Sequence, residues 1–183
     1  MIKTLTYNQI DPQQWSELLQ SSPTATWFQT DEAYRFYQSV SGMQAFVYGV
    51  AEEGRLVGVI IGYTTQSTNA IQQYFTKRAI IYGGPLLAED ISDEALGALL
   101  SAIAPASRLI ACGVPEKSAD FWGALSPHRL IKPIYIETRN FHDYSKWRNI
   151  FETNGFAYQT HLNFHVDTTS LDQVQSRIGK HRW

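Results

Sequence analysis

The sequence predicts a mixed α/β domain whose sheet is mostly antiparallel and flanked by helices. Three observations point there. Residues 45–51 and 56–64 are two strand-like runs joined through Glu52-Glu53-Gly54-Arg55, a polar link that reads as a hairpin turn. Residues 78–82 form an apolar strand that stops at Gly83-Gly84-Pro85, because proline lacks the amide donor that continued pairing needs. Residues 134–169 then read as strand, loop, amphipathic helix, glycine stop and second long strand.

The remaining elements follow in chain order. Asp11-Pro12 opens a first helix, with aspartate at the cap and proline tolerated in the first turn. Trp15, Leu18 and Leu19 form its buried stripe, and Ser21-Ser22-Pro23 breaks it. Thr30-Asp31-Glu32 starts a second helix carrying Tyr34, Tyr37 and Val40, which Ser41-Gly42 ends. Residues 69–76 are ambiguous in pattern. A helix over 92–103, capped by Ser92 or Asp93, turns Leu96, Leu99, Leu100 and Ile103 inward. Pro105, Pro115, Pro127 and Pro133 punctuate the next block, an irregular segment or insertion over 105–133 with a short strand at 108–112 and a short helix near 120–125.

In the closing unit Ile134 and Ile136 alternate with other side chains, as in a strand. Asp143 or Ser145 can cap the helix that follows. Trp147, Ile150 and Phe151 share one face of it, Asn154-Gly155 ends it, and Phe156 begins the return strand.

With 183 residues, one domain spanning 1–183 is the natural expectation. The hydrophobic share of 44% is ordinary, so the low charged share of 17% and the aromatic share of 13% point to a large core or to a face that meets another domain. A net charge of −2 gives no global attraction to nucleic acid or anionic lipid. The single cysteine, Cys112, excludes an intrachain disulfide and fits a reducing compartment. The first fifteen residues lack the apolar core of a secretory signal, so a cytoplasmic location is expected.

The segment "YIETRNFHDYS", then "GF-Y", then "HLN-HVD" resembles the first half of the FemABX family, bacterial peptidoglycan aminoacyltransferases built from two acetyltransferase-like domains. "TWFQTDEAYRFYQSV" (26–40) is similar to the family's first helix, and "IIYGGPLLAED" (80–90) to its central strand and glycine-proline turn. The resemblance covers residue 23 onward, apart from 105–133. It implies an acetyltransferase-like (GNAT-like) fold and transfer of an amino acid from aminoacyl-tRNA to a stem-peptide amine. It also implies a muropeptide precursor, UDP- or lipid-linked, as the bound partner. Because the family uses two such domains, the chain is expected to correspond to the N-terminal half of such an enzyme and to be incomplete alone. The missing half, or a homo-oligomer, would then be its protein partner.

Several residues are candidates for the precursor site. Gly84, within Tyr82-Gly83-Gly84-Pro85, stands where a backbone could cradle phosphate; the alternative is a strand-ending turn. No Arg/Gln-x-x-Gly-x-Gly/Ala string of the kind acetyl-coenzyme A enzymes carry is present, which argues against an ordinary acetyl-coenzyme A transferase. Tyr34, Tyr37, Tyr74 and Tyr82 could line a cleft or sit in the core, Tyr82 being the best placed. Arg177, Lys180, His181 and Arg182 make the C-terminus basic, and guanidinium and ammonium groups suit diphosphate. The resemblance assigns that role to Lys180 and Arg182, with Arg35 as a further phosphate contact.

No catalytic residue is assigned. Glu137 and Asp143 could act as a base, but a salt bridge and a cap are the commoner roles. His161 and His165 lack a ligand partner at metal spacing, so no metal or organic cofactor is expected. Small-molecule N-acyl transfer from acyl-coenzyme A and a non-catalytic assembly module are the alternative functions.

Overall fold

The computed structural model describes residues 1–65, 78–103, 135–160, 163 and 169–178. The expectations for 69–76, for 105–133, for His161 and His165, for most of the return strand beyond residue 160, and for Lys180, His181 and Arg182 fall outside these residues.

The strands are β1 (Ile2–Thr6), β2 (Met43–Glu52), β3 (Arg55–Thr65), β4 (Arg78–Gly83), β5 (Leu86–Leu87) and β6 (Tyr135–Asn140). The helices are α1 (Pro12–Ser21), α2 (Asp31–Ser39), α3 (Asp93–Ile103), α4 (Arg148–Thr153) and α5 (Leu171–Ile178). The described strands run in the order β1-β2-β3-β4-β6, with β5 beside β3. All neighbours are antiparallel except β4 and β6, which run parallel from Arg78↔Tyr135 to Gly83↔Asn140. This is the expected mostly antiparallel sheet with helices on its faces.

Local chemistry accounts for these elements. Asp11 caps α1 by accepting from Gln13 N at 2.9 Å, and Thr30 Oγ1 caps α2 by accepting from Ala33 N at 3.2 Å. Ser92 Oγ accepts from Ala95 N at 3.1 Å at the start of α3, which settles its cap in favour of serine. Glu53 and Gly54 both have positive φ (53° and 87°), so β2 and β3 are joined by the two-residue turn whose twist matches the strands. After α4, Gly155 (φ 82°) lets Phe156 N donate to Phe151 O at 2.9 Å and Gly155 N to Glu152 O at 2.9 Å, the double closure of a glycine-stopped helix.

Side-chain alternation puts helices on both faces. A Cβ built at Gly58 would lie 2.8 Å from Leu99 of α3, whereas one at the neighbouring pair position, Gly49, would meet Ile10 at 3.0 Å. Tyr63 lies on the Ile10 side, and its ring sits 4.9 Å from that of Tyr37 in α2. Leu96, Leu99 and Leu100 are fully buried with Leu86 and Leu87. At about 1.5–3 kcal/mol per buried leucine, this cluster is a main source of cohesion.

Two expectations need correction. Residues 156–160 form no strand. Phe156 folds back on Phe151 (5.7 Å), and 157–160 are all exposed, so no buried face rewards a two-residue period there. Leu19, expected in a buried stripe with Trp15 and Leu18, is half-buried, while Ile103, expected to face inward, packs against the core. Among the described residues no helix is long and apolar enough to cross a membrane.

Candidate functional site

Where two parallel strands end together, their carboxyl ends open onto a crevice that loops from other elements can line. β4 and β6 end at Gly83 and Asn140, and three separate segments meet there.

The first is the turn after β4. Gly83 and Gly84 both have positive φ (78° and 77°), and β5 resumes at Leu86. Its carbonyls are tied down. Gln29 Nε2 donates to Gly83 O at 3.1 Å and to Gly84 O at 2.9 Å. The Tyr144 hydroxyl lies 3.1 Å from Gly83 O and 2.7 Å from Pro85 O, and Thr24 Oγ1 donates to Pro85 O at 3.2 Å. Gly83, Gly84 and Pro85 are buried, and a Cβ at Gly84 would lie 2.5 Å from Asn140 Oδ1. The turn is therefore a packed strand ending, and Gly84 offers no open cradle for phosphate.

The second segment precedes α2. Thr26 and Gln29 close a tight turn, Thr26 N donating to Gln29 Oε1 at 2.5 Å. That leaves the Gln29 amide nitrogen free to reach the glycines, and Gln29 has no exposed surface. Thr-x-x-Gln is a helix-start pattern, so this residue carries a signal in the sequence. Phe28 from the same turn stacks on Tyr82 (5.5 Å, 29°) and meets Phe141 edge-on at 5.5 Å. Trp27 and Phe36, each 51% exposed, extend this aromatic row to the surface.

The third segment is β6 and the loop after it. Arg139 donates through Nε to Glu137 Oε1 at 2.6 Å and through Nη1 to the Tyr82 hydroxyl at 2.5 Å. Its guanidinium carbon lies 4.9 Å from the Tyr82 ring centre. Glu137 and Arg139 are two apart on one strand, hence on one face, which was the available clue to Arg139. Asp143 accepts from Ser145 N at 2.8 Å, and that hydrogen bond holds its carboxyl below the usual range. Glu137 thus forms the salt bridge, whereas Asp143 closes a local turn onto Ser145 N, and the helical turn Ser145–Trp147 starts at Tyr144 with no side-chain cap bond.

Behind Tyr82 lie Tyr63 (6.4 Å between rings) and then Tyr37. Burial, with the Tyr63 and Tyr82 phenols adding to it, pushes Tyr37 up to about 12. Burial also raises Tyr63 and carries Tyr144 well above the phenol range. The Tyr37 hydroxyl and Asn140 Oδ1 are buried with no hydrogen-bond partner among the described residues.

Tyr82 and Gly84 are thus brought together, with Gln29, Arg139, Asn140 and Tyr144 beside them. Arg35 is not brought to them by its described contacts. It is 70% exposed and pairs with Asp31 at 2.7 Å, while Tyr7 donates to the other oxygen of that carboxylate. Tyr34 and Tyr37 are core residues. Among the described residues no three His, Cys, Asp or Glu side chains gather as metal ligands. A groove of about 830 Å3, lined by Gln14, Glu17, Arg55 and Asp90 among others, lies by the β2–β3 turn. From Arg55 to the part of β3 beside Tyr82 is roughly 20 Å along the strand. We place the candidate site at Tyr82, because the groove gathers no comparable set of fixed polar groups.

No protein-family model matches this chain, and no curated protein does. Among solved structures it is similar to an aminoglycoside acetyltransferase from an uncultured soil metagenomic sample, at 12% identity over 90% of this chain and 93% of that one, with a TM-score of 0.46. It is similar to a ribosomal-protein-alanine N-acetyltransferase from Brucella melitensis biovar Abortus 2308, at 15% identity over 90% and 98% of the two chains, with a TM-score of 0.41. A transcriptional regulator from Bacillus halodurans C-125 matches at 10% identity over 90% and 99%, with a TM-score of 0.49. At such scores these likenesses carry no argument about substrate or chemistry.

Proposed function

We propose that this chain is an acyl-transfer domain working at the carboxyl ends of β4 and β6, and specifically one that serves peptidoglycan-bridge aminoacyl transfer. One observation carries the reading. The three segments with family resemblance, far apart in sequence, converge on one place: Gln29 from the first binds Gly83 and Gly84 of the second, and Tyr144 and Arg139 of the third bind Gly83, Pro85 and Tyr82.

In such a transfer an amine attacks an ester carbonyl, loses a proton and leaves a tetrahedral oxyanion to be stabilised. The Tyr82 hydroxyl accepts from Arg139, so its own proton is available for donation toward that oxygen. In this reading the chain contributes acceptor binding, a muropeptide precursor docks against Tyr82, and Arg35, Lys180 and Arg182 contact its phosphates. Aminoacyl-tRNA supplies the donor ester, and the second domain or a second copy completes the cleft. No resident metal or organic cofactor takes part.

A thermal-shift assay with a UDP-linked muropeptide tests it, with coenzyme A as the rival ligand. A ligand of the native state raises the unfolding midpoint. Stabilisation by the muropeptide, lost in Lys180→Ala and Arg182→Ala, is expected. Stabilisation by coenzyme A alone would replace this reading with small-molecule N-acyl transfer. Silence toward both, with concentration-dependent self-association, would leave an assembly module.

A further inference from the structure

We propose that the mouth of the β4–β6 pair is a carboxylate-binding site, with Arg139 as the fork and the Phe28–Phe141 aromatics as an apolar wall. The inference rests on the location of the site in the acyl-transfer reading and names the class of ligand it takes.

A guanidinium has five N–H donors in a fixed plane. Two are committed, Nε–H to Glu137 and one Nη1–H to Tyr82, and among the described residues Nη2 has no partner. The side chain is 38% exposed. Held at Nε and Nη1, the guanidinium has already lost much of its rotamer freedom, and its remaining N–H groups, two on Nη2 and one on Nη1, suit a planar oxyanion.

Charge decides between carboxylate and phosphate. β4 and β6 present Arg78, Ile80 and Tyr82 and, opposite them, Tyr135, Glu137 and Arg139 on one face. Two arginines face one glutamate there, a net charge of +1. Tyr135 and, more weakly, Glu137 favour the charged form of Arg78, and Glu137 does the same for Arg139. A carboxylate brings one negative charge. A phosphate monoester brings about −1.5 to −2, and the Glu137 oxygen 2.6 Å from Nε would oppose it.

The wall supplies the second half of the specificity. Phe28 meets both Tyr82 and Phe141 at 5.5 Å, and Trp27 and Phe36 continue the row into solvent. A ligand whose carboxylate stands next to an apolar or aromatic group, such as an N-acyl amino acid or a peptide C-terminus, would satisfy both features.

The test is isothermal titration of the full chain with N-acetylphenylalanine, its neutral amide and phenyl phosphate. The acid is expected to bind at least ~10-fold tighter than the amide, because only it pairs with the fork. Arg139→Gln should erase that preference while leaving the amide's weak binding unchanged. If Arg139→Gln does not fold, Tyr82→Phe serves: it removes one clamp, and the acid alone should weaken. Equal binding of acid and amide, tighter binding of phenyl phosphate, or no binding of the acid at millimolar concentration would each overturn the proposal. Acid preference that persists in a chain unresponsive to muropeptide would end the acyl-transfer reading and leave this one standing. Muropeptide stabilisation without acid preference would do the reverse.

Discussion

Gln29→Leu is the sharpest probe of how the site is held. The two side chains have similar volume, so packing is nearly conserved, and the loss is confined to hydrogen bonds. Gln29 Nε2 bonds the Gly83 and Gly84 carbonyls at 3.1 and 2.9 Å, and Oε1 accepts from Thr26 N at 2.5 Å. The three bonds to backbone groups contribute about 1 kcal/mol net each and about 3 kcal/mol together, and a fourth, from the Thr26 hydroxyl to Oε1 at 3.0 Å, is lost with them. Tyr144 still reaches Gly83 O, so Gly84 O and Thr26 N bear most of the burial penalty. For a chain of this size 1 kcal/mol moves the midpoint by about 2–4 °C, so Gln29→Leu should lower Tm by roughly 6–12 °C. Gln20→Leu, an exposed position on α1, is the control and should stay within about 0.5 kcal/mol. Urea denaturation followed by circular dichroism gives the free energies. A Gln29→Leu protein as stable as the control would refute the claim that this amide organises the turn.

Other outcomes follow from the same geometry. Tyr37→Phe removes a buried hydroxyl that has no partner among the described residues, so stability at neutral pH should hold or rise slightly by denaturant titration. The Tyr37 phenol is raised from 10 to about 12 in the fold, so the folded state keeps its proton longer than the unfolded chain. Its contribution is full below pH 10 and lost as pH rises through 12, and Tyr37→Phe should flatten the fall in Tm measured across that window. Gly84→Ala adds a Cβ at φ 77°, 2.5 Å from Asn140 Oδ1 and 2.7 Å from the Tyr144 hydroxyl. Gly54→Ala meets the same backbone strain with nothing within 4 Å, so Gly84→Ala should cost about 1–3 kcal/mol more in paired urea melts. Gly97 lies inside α3 with its nearest neighbour, Asn154 Nδ2, at 3.7 Å, and Gly97→Ala should stabilise by about 0.5–1 kcal/mol in the same assay.

What was legible in the sequence was what local chemistry decides. Asp11, Thr30 and Ser92 each cap within three residues, the Glu53-Gly54 turn sets its own register, and Gly155 stops its own helix. Three features escaped that logic. β1 shows little alternation, because Leu5 is its one buried residue and the strand is held by pairing with β2. β5 is two residues long, too short for any period, and exists because β3 is long enough to pair again after the kink. Residues 156–160 read as a strand by composition, but a strand is made by its neighbour, and none among the described residues pairs with them.

The site divides along the same line. Tyr82 and Gly84 were visible because glycine and proline announce a turn. Their partners Gln29, Arg139 and Tyr144 lie 53 to 62 positions away in sequence, where spacing carries no information. Distance also explains why polar side chains do this work. A helix end or hairpin can satisfy its own backbone groups, but a turn with two left-handed glycines inside a sheet leaves carbonyls that no ladder reaches. Gln29 and Tyr144, both buried, supply the missing donors, and in doing so they fix the strand end that carries Tyr82. The groups that satisfy the turn are thus also the groups that aim the site. For that reason Gln29→Leu should impair ligand binding at Tyr82 as well as stability, although Gln29 itself is sealed from solvent. Titration of the folded variant with N-acetylphenylalanine at low temperature separates the two effects: unchanged affinity would mean that the turn supports the fold without positioning the site.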